Sequence, residues 1–192
     1  MEQALLDKYR DINVDFDDWY EGVYVWFLEH CREVGVEVHT RNGSRAFDIT
    51  WSGFWSQGDG AAFGGSVDDL EKAIPDLASR FPITYKYVSE LKGWFRFDWE
   101  AGRGNYIRTN SFEIEDIGLY LPEGDEHPFA EIWSEQMNAE IEVIEAELGE
   151  LANDLCDTLY KALRDEYDAL TEDVAVWETI VANDLHLEEE VA

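Results

Sequence analysis

Eight carboxylates recur along one stretch of the chain: Glu131, Glu135, Glu142, Glu145, Asp154, Asp157, Asp165 and Asp168. They fall off a stripe of Trp133, Met137, Ile141, Ile144, Leu148, Leu151, Leu155, Leu159, Leu163 and Tyr167, which steps by threes and fours. Carboxylates three or four residues apart on a helix sit about 5–6 Å from one another and repel. Lysines mixed among them would gain a few tenths of a kcal/mol per pair. Yet from Glu123 to Ala192 there are 22 acids and two bases, Lys161 and Arg164. Such an array can imitate the phosphates of a nucleic acid and be read by a basic protein surface. A solvated acidic face, as in a proteome adapted to high salt, accounts for the same residues. The two differ in whether a specific basic partner exists.

A second group surrounds a glycine-rich hairpin. Asp48, Gln57 and Asp59 are the polar side chains there that could serve a small enzyme. No nucleophile is marked: neither Cys31 nor any serine carries a local catalytic signature. Gly58-Asp59-Gly60 is too short to cradle a phosphate. His30, Cys31, His39, His127, Cys156 and His186 lack the spacing of a zinc site, and the Asp59 loop lacks the acids of a calcium loop. No catalytic residue, metal or cofactor is therefore expected. Direct nucleic-acid binding is disfavoured too. Arg96, Arg103 and Arg108 are few against a net charge of −30, from 44 acidic and 14 basic residues. That field also repels anionic membranes and attracts basic surfaces.

The elements that hold these groups follow from periodicity. Ala4, Leu5, Leu6 and Tyr9 predict a short first helix. Trp19, Val23, Trp26, Phe27 and His30 predict a second, ended by Gly35. Val36 to Thr40, Arg45 to Gly53 and Ala61 to Ser66 read as strands of an antiparallel meander. Asn42-Gly43 and Gly58-Asp59-Gly60 are its expected turns. Ser66 and Asp69 form a capping pattern before a helix that Pro75 interrupts. Pro82 to Lys92 suits helix or strand equally. Phe95, Phe97 and Trp99 alternate with Asp98 and Glu100 as one aromatic face of a strand, with Trp51 also expected in the core. Tyr106 to Tyr120 continues the sheet. Pro128 to Leu170 forms the long amphipathic helix, which Gly149 can kink. Thr171 is the expected cap of a last helix with Val174, Trp177, Ile180 and Val181 inward.

The hairpin also carries a resemblance. Ser52-Gly53-Phe54-Trp55-Ser56-Gln57-Gly58-Asp59-Gly60-Ala61 resembles the motif of a family of small acidic proteins encoded by phages and prophages. Tyr167-Asp168-Ala169-Leu170-Thr171-Glu172-Asp173-Val174-Ala175-Val176 and Ile180-Val181-Ala182-Asn183 extend the likeness near the C-terminus. Ala62 stands where many of those relatives carry cysteine. The resemblance implies a phage context inside a host cell and carries no catalytic residue.

The expectation is thus an α+β chain. Residues 1–122 would form an α+β core with N-terminal helices and an aromatic antiparallel sheet. Residues 123–192 would form an acidic helical segment packed on or beside it. Two cysteines in separate segments suit reduced thiols and a cytoplasmic setting. The first ten residues do not form a signal peptide, and no run reaches the roughly 20 apolar residues of a membrane span. The expected partner is a basic host protein, nucleic-acid-binding or part of a defence system. Dimerisation through the long helix is the structural alternative.

Overall fold

Gly35 marks where helix gives way to sheet. Its φ is +79°, a left-handed conformation that suits glycine and costs other residues about 1–2 kcal/mol. Its carbonyl accepts the backbone N–H groups of Asp68 at 3.0 Å and Asp69 at 3.2 Å. The computed structural model describes residues 2–15, 18–41, 46–55, 59–90, 96–101, 114–120 and 135–186. In chain order these form α1 (Glu2–Lys8), α2 (Glu21–Glu33), β1 (Val36–Val38), β2 (Ile49–Ser52), β3 (Gly60–Phe63) and β4 (Gly65–Val67). Next come α3 (Leu70–Ala73), α4 (Leu77–Arg80), α5 (Pro82–Glu90), β5 (Arg96–Ala101), β6 (Ile114–Tyr120), α6 (Glu135–Thr171) and α7 (Asp173–Ala182). The fold is α+β, with antiparallel sheets, N-terminal helices and a long C-terminal helix. Two compact units are present: unit 1 is residues 1–26 with 161–192, and unit 2 is residues 27–160.

Unit 2 is built on a four-stranded antiparallel sheet in the order β1-β4-β5-β6 and a two-stranded hairpin, β2-β3. The meander expected from sequence is therefore modified: β1 pairs with β4 rather than along its length with β2. Thr40 bridges Phe47, and Arg41 N–H donates to Ala46 O at 2.9 Å, on either side of Asn42-Gly43 in sequence. That dipeptide itself lies outside the described residues. The register puts Val36, Val67 and Phe97 in one row and Glu37, Ser66 and Asp98 in the next. Successive residues of a strand face opposite ways, so one sheet face is apolar and the other polar. Val36, Val38, Val67 and Phe97 are buried on the apolar face. Phe27 of α2 meets Phe63 of β3 edge-to-face, ring centroids 5.1 Å apart. Phe95 lies outside the described residues, and the side chains of Trp99 and Glu100 are not among those described. Trp51 is half-buried rather than buried, stacked on Phe54 at 5.4 Å.

The hairpin is wider than the sequence suggests. Gly60 pairs with Ser52 as the first residue of β3, so it belongs to the strand and not to the turn. The connection spans residues 53–59, and Gly58 lies outside the described residues. Among the described glycines the one with positive φ is Gly35. Beyond the hairpin, Gly64 is a junction. His39 N–H donates to Gly64 O, Gly64 N–H to Asp48 O, and Asp48 N–H to His39 O, at 2.9, 2.9 and 2.8 Å. Three segments thus close a ring of backbone hydrogen bonds where the sheet hands over to the hairpin. A Cβ on Gly64 would lie 2.8 Å from Asp48 Oδ2, so the carboxylate fills the space a side chain would need.

Pro75 does split its segment, into α3 and α4. The cap of α3 is Asp69, whose Oδ1 accepts Lys72 N–H at 3.2 Å; Ser66, expected in the capping pattern, is a buried strand residue instead. Residues 82–90 resolve as helix. The long helix is continuous for 37 residues, about 55 Å, and Gly149 does not end it. Met137, Ile141, Ile144, Leu148, Leu155 and Leu159 are buried along its stripe.

Unit 1 gathers the two chain ends. Leu6 of α1 packs with Val176 and Ile180 of α7, flanked by Leu5, Tyr9, Ile12, Trp177 and Leu185. Asn13 ties in twice: its amide donates to Leu170 O at 2.9 Å, and its Oδ1 accepts from Thr179 Oγ1 at 2.8 Å. Two expectations fail here. Thr171 ends α6, donating its hydroxyl back to Tyr167 O at 2.8 Å, and Glu172 is the N-cap of α7. Val174 and Val181 point outward, while Val176 and Ile180 point inward. On α2, Trp26 is likewise exposed rather than on the buried face.

Candidate functional site

The carboxylates of α6 divide by what they touch. Glu135, Glu142, Asp154, Asp157 and Asp165 are exposed, and Glu145 and Asp168 are half-buried. Glu131 lies outside the described residues. Glu135 and Glu142 stand seven residues apart, and Glu142 to Glu145, Asp154 to Asp157 and Asp165 to Asp168 each span three. On a helix those steps rise about 10.5 and 4.5 Å. Glu145 and Asp154, nine residues apart, point to opposite sides of the helix, so the acids of α6 in unit 2 form two groups, 135, 142 and 145 and then 154 and 157. Arg164 lies near one of these acids, its Nη2 3.9 Å from Asp165 Oδ1.

Two further acids of α6, not singled out by the sequence, hold the fold. Glu140 accepts backbone N–H groups of Ile83 at 3.3 Å and Thr84 at 2.7 Å. Its carboxylate thus caps the positive end of α5 from another helix. Glu147 forks onto Arg80, with Nη1 donating to Oε2 at 2.9 Å and Nη2 to Oε1. Nothing in local spacing separates these from Glu142, since only the fold brings α4 and α5 alongside. Replacing Glu140 by alanine should lower stability by about 1–2 kcal/mol, whereas Glu142→Ala should stay within about 0.5 kcal/mol. Urea midpoints of the two variants compare them directly.

The hairpin motif carries an aromatic ladder. Trp51 stacks on Phe54, and Phe54 meets Tyr160 of α6 at 5.8 Å. Trp55, at the tip, is 76% exposed. Gly53 lies against Asp59, since a Cβ there would fall 3.2 Å from the carboxylate. Asp48 sits 3.5 Å from Arg41 Nε. Gln57 and Gly58 lie outside the described residues. Asp48 and Asp59 are thus engaged at opposite ends of the β2-β3 ribbon, one at the Gly64 junction and one beside Gly53.

A polar cluster on the sheet was not foreseen. Arg96 Nη2 donates to Ser66 Oγ at 3.0 Å and to His39 Nε2 at 3.1 Å. Its Nε lies 3.1 Å from Asp98 Oδ1 and 3.5 Å from Asp68 Oδ1. A guanidinium only donates, so in this contact His39 Nε2 is the acceptor. Serine, histidine and aspartate are the residue types of a hydrolytic triad, but the connectivity differs. Ser66 gives its proton to Asp68 at 3.1 Å and is fully buried. Its oxygen cannot meet a substrate. Alternation of polar residues at 37, 39, 66, 68, 96 and 98 was the available signal. Beside this cluster, Arg32 forks onto Glu37 and holds that carboxyl below its usual range.

Cys31 and Cys156 are both buried, and burial pushes each thiol up to about 12. At neutral pH they are protonated and poor nucleophiles. Among the described residues no group of three or more His, Cys, Asp or Glu is placed to hold a metal ion, and no helix is long and apolar enough to cross a membrane.

A family model described as a domain of unknown function, DUF8835, matches residues 19–173. No curated protein and no solved structure matches the chain.

Proposed function

We propose, from the premise that the chain belongs to the DUF8835 family, that it is an acidic binding protein. Its exposed α6 carboxylates engage a basic host protein that ordinarily binds nucleic acid or serves in defence. The observation that carries this reading is the exposure of the α6 carboxylates at 135, 142, 154, 157 and 165. They sit in a segment of 22 acids and two bases. A phage-type role inside a host cell belongs to the same proposal, through the likeness of the Ser52–Ala61 motif.

Charge-led binding has a defined signature. Exposed charges are screened over about 8–10 Å near physiological ionic strength, so capture from host lysate should be strong at low salt and lost at high salt. Replacing Glu135, Glu142 and Glu145 together by glutamine keeps helix propensity and removes three charges. Partner association should slow by about tenfold, while the melting temperature holds or rises slightly as repulsion falls. Capture that ignores both salt and these substitutions overturns the proposal. Stability that rises with salt, without any specific basic partner, would instead identify an adaptation to saline surroundings.

A further inference from the structure

Helix α7 is apolar on every side except at Asp173, Glu178 and Thr179. Helices of that composition are normally buried all round. Here one side, Val176 and Ile180, packs on Leu6. The other keeps Val174 67% and Val181 61% exposed. These two valines stand seven residues apart on one helix face, about 10.5 Å along the axis. Half-buried Trp177 flanks them, and exposed Glu178 lies between them in sequence and on the same side. From Glu172 to His186, the described residues of this end carry four acids, Glu172, Asp173, Glu178 and Asp184, and no Lys or Arg.

We infer that the Val174–Trp177–Val181 strip is the apolar centre of a docking surface for a cationic amphipathic helix of a partner protein. Interfaces are built in this way, with a small desolvated apolar centre and a charged rim. Spacing of three and seven residues is the register in which one helix reads another. Charge selects the occupant. A second copy of this chain would lay α7 on α7 about a two-fold axis and set Glu178 and its acidic neighbours against themselves. A basic helix brings the opposite sign. The inference rests on the proposed binding role and adds where the partner's apolar anchors sit.

The test uses the full chain and a synthetic amphipathic Leu/Lys peptide about 18 residues long, five turns of helix. A Gly/Ser/Lys peptide of equal charge is the control. Wild type should prefer the Leu/Lys peptide by about tenfold. The preference should vanish in Val174→Ser/Val181→Ser, and also in the near-isosteric Val174→Thr/Val181→Thr, which guards against a folding defect in the first. It should survive Glu135→Gln/Glu142→Gln/Glu145→Gln, so a failure of the α6 reading stays distinguishable. Equal affinity for both peptides, or a preference that survives both valine variants, overturns the inference. So does sedimentation showing a dimer that the valine substitutions dissolve, because the occupant is then a second copy.

Discussion

Gly35→Ala is expected to destabilise the protein by about 3 kcal/mol. Two costs add. The backbone at this position has φ +79°, and an added Cβ would fall 2.3 Å from the Asp69 carbonyl oxygen and 3.1 Å from Lys72 Cβ. The first contact is with backbone that is itself fixed, because Asp68 and Asp69 donate to the Gly35 carbonyl. The end of α2, the start of β1 and the cap of α3 therefore cannot separate without losing hydrogen bonds. Gly149→Ala is the control. A Cβ there has nothing within 4 Å, and alanine gains about 1 kcal/mol over glycine inside a helix. Opposite shifts in the denaturation midpoint are the expected result. A Gly35→Ala variant as stable as wild type would refute the close approach.

The second large effect concerns two adjacent aromatic residues. Phe27→Ala should cost about 3–5 kcal/mol, and Trp26→Ala less than about 1 kcal/mol. Phe27 is 0% exposed and packed on Phe63, whereas Trp26 is 45% exposed. Sequence places both on one helix face, so the pair tests the observed rotation of α2. Similar losses for the two would show that the helix presents both inward.

How far the sequence could be read depended on whether the signal was local. The α6 stripe, the alternation through β5 and the split at Pro75 are all written in neighbouring residues. Gly35 combines a helix end with a left-handed φ, and its position after a periodic run announces both. By contrast α7 is apolar on both sides, so periodicity offers two faces and cannot choose between Val174 and Val176. Asn42-Gly43 suggests that consecutive strands pair throughout, but β1 finds β4 because its valines match the apolar row of Val67 and Phe97. Of the candidate site, the exposed carboxylates were legible as a class. Which acids cap or pair was not, because Glu140 and Glu147 take their roles from α4 and α5, some 55–70 residues away in sequence. The Arg96 cluster was hidden for the same reason, as its members come from β4, β5 and the residues just after β1 and β4.

The burial of the thiols has a practical corollary. The chain has two cysteines, both buried and both in unit 2, at positions 31 and 156. Unit 1 has none. A thiol reagent can modify this protein only after unit 2 opens, since the protonated, enclosed sulfurs do not react in place. Labelling rates in native buffer therefore act as a clock for the opening of one unit alone, blind to fraying at the chain ends. Compared with a whole-chain unfolding signal such as circular dichroism, that clock tells whether the two units open together or one at a time.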